Sequence, residues 1–118
     1  MTPLKGTLYR YAAKLVRVVD GDTVVLDIDL GFRIRLQDYV RLHGVNAPEI
    51  FGANATPAGR AAMVFTCAWF ENDPQLYLQS HGLNEREKYG RVLGTIYRDG
   101  DAISLNAALI YSGHGSAT

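Results

Sequence analysis

Two short glycine turns dictate what the first third of this chain can become. Asp20-Gly21-Asp22 and Gly31 cut an apolar, β-branched stretch into three pieces, Leu8 to Val19, Val24 to Asp29 and Phe32 to Leu42. The first is rich in Tyr, Leu and Val. In the second, Val24, Leu26 and Ile28 oppose Val25, Asp27 and Asp29; in the third, Phe32, Ile34 and Leu36 alternate with Arg33 and Arg35. Alternation of this kind marks half-buried strands, and turns this short force neighbours to run antiparallel. A three-stranded meander is predicted, with a bend or bulge near Gln37-Asp38, where the alternation loosens.

A meander alone leaves one apolar face and two edges uncovered, so the rest of the chain must supply the covering. The loop after Leu42 carries Gly44, Asn46, Pro48 and Gly52, and it ends at Thr56-Pro57, an N-cap residue followed by proline at the first helical position. A helix is predicted from there to about Asn72, where Asp73-Pro74 stops it. Leu76 to His81 and Val92 to Tyr97 read as two more strands, separated by the polar loop Gly82 to Gly90. Ser104 caps a last short helix to about Tyr111, and the small residues Gly113 to Thr118 are expected to fray. The outline is a β-rich α+β chain: a five-stranded OB-type barrel with one main helix and a short C-terminal helix, residues 1–118 forming a single domain.

Charge limits the partners. Lys plus Arg (12) equal Asp plus Glu (12) in 118 residues, so any contact with a polyanion must come from a local cluster. The single cysteine, Cys67, excludes an internal disulfide and, in an apolar helix, reads as core. No apolar run approaches the ~20 residues of a membrane span and the first residues are too polar for a secretory signal, so no membrane partner and a cytoplasmic location are expected. Helix 57–72 is apolar around most of its circumference, more than a surface helix needs, so either it plugs the barrel deeply or part of it faces another chain, as in a homodimer. Trp69 and Phe70 read as core. His43, His81 and His114 lack metal-ligand spacing.

Three loops carry the candidate chemistry. The turn Asp20 to Thr23 offers Asp22, a carboxylate that can reach a hard cation such as Ca²⁺. The segment Arg41 to Glu49, RLHGVNAPE, offers a guanidinium and a candidate general base, and Lys88 to Arg91, KYGR, offers a second guanidinium. Two arginines suit a phosphate because each presents a planar fork of donors and stays charged. An acid among them suits activation of a water for attack on a phosphodiester. Lys88 and Tyr89 can extend the contact to a neighbouring phosphate or base face. Taken singly, each feature has a plainer meaning: a hairpin turn, a surface ion pair of ~0 to 1 kcal/mol, a solvated loop. Arg33 and Arg35 read as the wet face of their strand.

Taken jointly, the order VVDGDTVVL (Val18 to Leu26), RLHGVNAPE (Arg41 to Glu49), an alanine-containing helix, KYGRVLGTIY (Lys88 to Tyr97) and LNAALI (Leu105 to Ile110) resembles the staphylococcal nuclease-like, or thermonuclease, family over nearly the whole chain. The resemblance implies an OB barrel and a Ca²⁺-dependent endonuclease of DNA and RNA that leaves 3′-phosphates and 5′-hydroxyls. It implies that Arg41, Glu49 and Arg91 are catalytic, Glu49 as general base, and that Asp22 and the Ala47 carbonyl are metal ligands. Lys88 and Tyr89 match nucleotide-contacting positions, and single strands are the expected preference.

Asn46 departs from the pattern, because the family has a second calcium-binding aspartate there. An amide oxygen still ligates Ca²⁺, but one negative charge is lost, and with it affinity, so attenuated activity is expected. The further C-terminal helix of the secreted prototypes, with its aromatic for the nucleotide site, is not found in this sequence. The competing expectation is a weakened barrel module that binds single-stranded nucleic acid or a protein partner.

Overall fold

The meander forms. In the computed structural model, which describes residues 9–50, 52, 55–83 and 91–118, strands β1 (Arg10–Asp20), β2 (Thr23–Asp29) and β3 (Arg35–Leu42) pair antiparallel in sequence order. A two-residue strand β4 (Val45–Asn46) follows, then helix α1 (Pro57–Trp69), strands β5 (Leu76–Leu83) and β6 (Val92–Arg98), helix α2 (Leu105–Tyr111) and a short β7 (Ser116–Ala117). β5 pairs with both β1 and β6. β6 runs parallel to the end of β3, with Val40 opposite Val92 and Leu42 opposite Gly94, and this closes a five-stranded barrel in the order β1-β2-β3-β6-β5. Closure leaves none of the five strands with a free edge.

The alternating residues fill it. Val24, Leu26 and Ile28 of β2, Val40 and Leu42 of β3, Leu76 and Leu78 of β5 and Ile96 of β6 are all buried and form one cluster with Trp69, Phe70, Leu105 and Leu109. Burying each of these aliphatic side chains stabilises the fold by about 1.5–3 kcal/mol relative to leaving it in water. Both helices start where the caps place them: Thr56 Oγ1 accepts from Gly59 N at 3.1 Å with Pro57 at the first position, and Ser104 Oγ accepts from Ala107 N at 3.1 Å.

Five expectations are corrected. β3 begins at Arg35 rather than Phe32, because Phe32 and Arg33 take left-handed φ values of 55° and 65° to turn the hairpin. No bulge falls at Gln37-Asp38: β2 and β3 stay in continuous register from Thr23 opposite Arg41 to Asp29 opposite Arg35. Irregularities lie instead in β1, between Leu15 and Arg17 and between Val18 and Asp20, and in the β5–β6 pairing between Ser80 and Leu83. β1 is shared between β2 and β5 and must coil to serve both, and extra residues relieve such coiling. α1 ends at Trp69, short of Asn72. Its buried face is Gly59, Ala62, Thr66 and Trp69, so Cys67 points outward and is exposed rather than core. The tail does not fray at Ser116–Ala117: those residues pair with Asn46 and Val45, and Thr118 N donates to Gly44 O at 3.1 Å.

Candidate active site

Helix α1 fixes two loops at the same pole of the barrel. Thr66, fully buried, donates from Oγ1 to Gly21 O at 2.8 Å, which ties the β1–β2 turn to the helix. Gly21 is there for lack of space: a Cβ on it would lie 2.8 Å from Ala47 Cβ and 2.9 Å from Ala62 Cβ. One turn earlier in α1, a Cβ on Gly59 would lie 1.9 Å from Glu49 O, so this glycine lets the Glu49 backbone rest directly on the helix. Thr56 N also donates to Glu49 O at 3.1 Å.

Asp22 sits where the turn meets β3. Its backbone O accepts from Leu42 N at 2.9 Å, its Oδ2 accepts from Ala47 N at 2.9 Å, and its Oδ1 accepts from Thr23 Oγ1 at 3.2 Å. Arg41 Nη2 lies 3.3 Å from Asp22 Oδ2 and also donates to Asn46 Oδ1. Its Nη1 donates to Leu42 O at 2.9 Å and Val45 O at 2.8 Å. The guanidinium is therefore held by protein oxygens between Asp22 and Asn46. With the Asp22 and Arg41 side chains only 13% and 16% exposed, this pair is screened less than a surface pair.

Asp20, Asp22, Thr23, Arg41, Asn46, Ala47, Glu49 and Arg91 line one polar cavity of about 570 Å³. Every candidate metal and catalytic position from the sequence is in it; Lys88 and Tyr89 lie outside the described residues. Asp20 is the addition. Its carboxyl is pushed up to about 7, first by burial and then by a hydrogen bond and charge repulsion from Asp22. The two acids flanking Gly21 could have signalled it from sequence. Gly59 and Thr66 carry no such signal, because their role exists only once α1 packs against the turn.

Among the described residues, no three His, Cys, Asp or Glu side chains converge to hold a metal by themselves. A cation at this pole would draw on the Asp22 carboxylate, the Asn46 amide oxygen, the Ala47 carbonyl and water, a hard oxygen set that fits Ca²⁺. The histidines stand elsewhere. His43 and His81 stack at 4.2 Å between ring centroids, His81 Nε2 is 2.9 Å from Thr95 Oγ1, and His114 lies 5.0 Å from the Phe65 ring. Burial and the neighbouring His43 lower the pKa of His81. A larger concavity of about 900 Å³ runs along the exposed face of α1; Ile50, Pro57, Ala61, Val64, Phe65 and Ala68 make it mostly apolar, with Thr56, Arg60 and His114 as its polar members.

Comparison with known proteins shows the family. The family described as "Staphylococcal nuclease homologue" matches residues 39–118, which hold the Arg41 to Glu49 loop, α1 and Arg91 but not the Asp20 to Thr23 turn. The chain is 33% identical over 86 residues to a protein named thermonuclease from Staphylococcus hyicus, covering 71% of this chain and 47% of that one. It is 32% identical over 94 residues to a thermonuclease from Staphylococcus intermedius, covering 78% and 52%. The chain thus spans about half the length of the curated relatives it matches.

Proposed function

Because this chain belongs to the staphylococcal nuclease homologue family, we propose that it hydrolyses phosphodiester bonds of DNA or RNA at the pole where Asp22, Arg41, Asn46, Glu49 and Arg91 meet. The observation that carries this reading is the shared cavity, whose lining includes the exposed acid Glu49 together with two guanidinium groups. A groove evolved only to hold phosphate would be weakened by such an acid.

In this reading Arg41 and Arg91 take the equatorial oxygens of the scissile phosphate and Glu49 accepts a proton from the attacking water. The bond from phosphorus to the 5′-oxygen breaks as the new P–O bond forms. The departing oxygen takes a proton from solvent, leaving a 3′-phosphate and a 5′-hydroxyl. Ca²⁺ held by Asp22, Asn46 and the Ala47 carbonyl would supply Lewis-acid charge to the phosphate. Asp22 Oδ2 and Asn46 Oδ1 hold Arg41 Nη2, while Leu42 O and Val45 O hold its Nη1, so a cation drawing on the two side-chain oxygens would free one end of this guanidinium for phosphate. The amide at position 46 weakens the cation site relative to a second carboxylate. Single strands are preferred because a flexible backbone reaches a recessed guanidinium more readily than a duplex does. Lys88 and Tyr89, which precede Arg91 in the sequence, are assigned to nucleotide contact in this reading.

The exposed apolar stripe on α1, with Val64 63% exposed, supports a homodimer through residues 57–72; a concentration-independent monomer mass in sedimentation would remove that part. The test of the catalytic reading is digestion of single-stranded DNA with Ca²⁺ or with chelator. Chelator-sensitive cleavage leaving 3′-phosphates is expected. Binding without cleavage at any Ca²⁺ concentration would replace the enzyme by a binding module.

A further inference from the structure

The cations of this barrel are not treated alike. Arg35, at the far end of β3, pairs with Asp27 at 3.0 Å and Asp29 at 3.8 Å, and Arg98 pairs with Asp101. At the cavity Arg41 pairs with Asp22, but among the described residues no carboxylate pairs with Arg17 or Arg91, nor with Arg10, Arg33 and Arg60 elsewhere. Arg17 and Arg91 are brought together by one ring. Strand register sets Arg17 of β1 opposite Val25 of β2 and Val25 opposite Tyr39 of β3, and Tyr39 shares a strand face with Arg41 two residues on. Arg17 Nη2 donates to Tyr39 Oη at 2.8 Å, with its Cζ 5.3 Å from the ring centroid. Arg91 Cζ lies 5.5 Å from the same centroid.

The result is a row on the outer face of the barrel, Arg17, Tyr39, Arg91, whose last member lines the cavity. Two guanidiniums stand on one ring without an acid between them, a local excess of positive charge in a chain whose total charges balance at 12 and 12. Cation–π contact offsets part of their repulsion but brings no opposite charge. A phosphate would. Tyr39 is 38% exposed and so within reach of a strand, and a cation beside an aromatic is the pair that single strands use along a binding track.

We propose that Arg17 and Tyr39 form a second polynucleotide contact, taking the phosphate and base next to the scissile diester on the β1–β3 side of the cavity. This rests on the nuclease reading and deepens it. The site then spans more than one nucleotide, and the chain favours oligonucleotides over isolated diesters.

The test is fluorescence anisotropy of a labelled oligodeoxythymidylate in Ca²⁺ over a salt series, in a Glu49→Gln parent so that no cleavage interferes. Arg17→Gln should weaken binding about five- to tenfold and flatten the plot of log affinity against log salt by about 0.7, the share of one single-strand phosphate contact. Tyr39→Leu should weaken binding about tenfold with the slope unchanged, because it removes stacking and no charge. Arg35→Gln, which removes the same charge from the same sheet, should stay within about twofold of the parent. Equal affinities and slopes for Arg17→Gln and Arg35→Gln would overturn the second contact while leaving the nuclease reading intact. No binding by the parent would overturn both.

Discussion

Replacing Thr66 by Val tests whether α1 holds the catalytic turn or merely covers it. The substitution keeps the β-branched shape and opens no cavity, so what it removes is the hydrogen bond from Thr66 Oγ1 to Gly21 O at 2.8 Å. Thr66 is 0% exposed and Gly21 is buried, so water cannot take the hydroxyl's place. An orphaned buried carbonyl costs about 1–3 kcal/mol, and a loss of about 2 kcal/mol is expected in urea unfolding. The transition can be followed through Trp69, the single tryptophan, which lies on the same helix face. Thr66→Ser keeps the donor and deletes one methyl group, for about 1 kcal/mol. The Val variant should also need more Ca²⁺ for half-maximal cleavage, since Asp22 follows the freed Gly21. A Val variant within about 0.5 kcal/mol of wild type, or a Ser variant costing more than Val, would refute the reasoning.

Three further outcomes follow from the same geometry. Gly59→Ala should lower cleavage at least tenfold at saturating Ca²⁺, because a Cβ 1.9 Å from Glu49 O must push the loop off the helix; unchanged kinetics would show that this loop is not positioned there. Asn46→Asp should shift the Ca²⁺ titration of activity to lower concentration by restoring a ligand charge, and equal midpoints would sink the attenuation argument. Asp20→Asn bears on pH. The folded pKa of about 7 lies above the ordinary aspartate value of 3.8, so the folded state holds the extra proton in between and this group's contribution is lost as pH rises toward 7. The Asn variant should therefore gain stability over wild type at pH 8 compared with pH 4, and a gap independent of pH would contradict it.

The barrel was legible because its cues are local. Alternation in Val24 to Asp29, the Thr56-Pro57 cap and the Ser104 cap each act within a few residues, and all survived folding. Cys67 was misread because apolar neighbours in sequence do not say which face of a helix turns inward; Gly59, Ala62, Thr66 and Trp69 decided that by packing on the turn. The pairing of Ser116–Ala117 with Val45–Asn46 was invisible for the same reason, since it depends on where α2 delivers the chain. At the site, Asp22, Arg41, Glu49 and Arg91 could be named from residue type and motif. The internal engagement of Arg41 by Leu42 O, Val45 O, Asn46 and Asp22 needed coordinates.

Single-turnover cleavage of single-stranded DNA in saturating Ca²⁺, compared between wild type and Glu49→Gln, asks most directly whether this pole is a reaction centre. A positioned general base contributes roughly 10²–10⁴-fold, so the Gln protein should cut slower by about that factor while binding the strand as tightly. Equal rates would mean that the acid beside the two guanidiniums takes no proton and that the cavity holds phosphate without cleaving it.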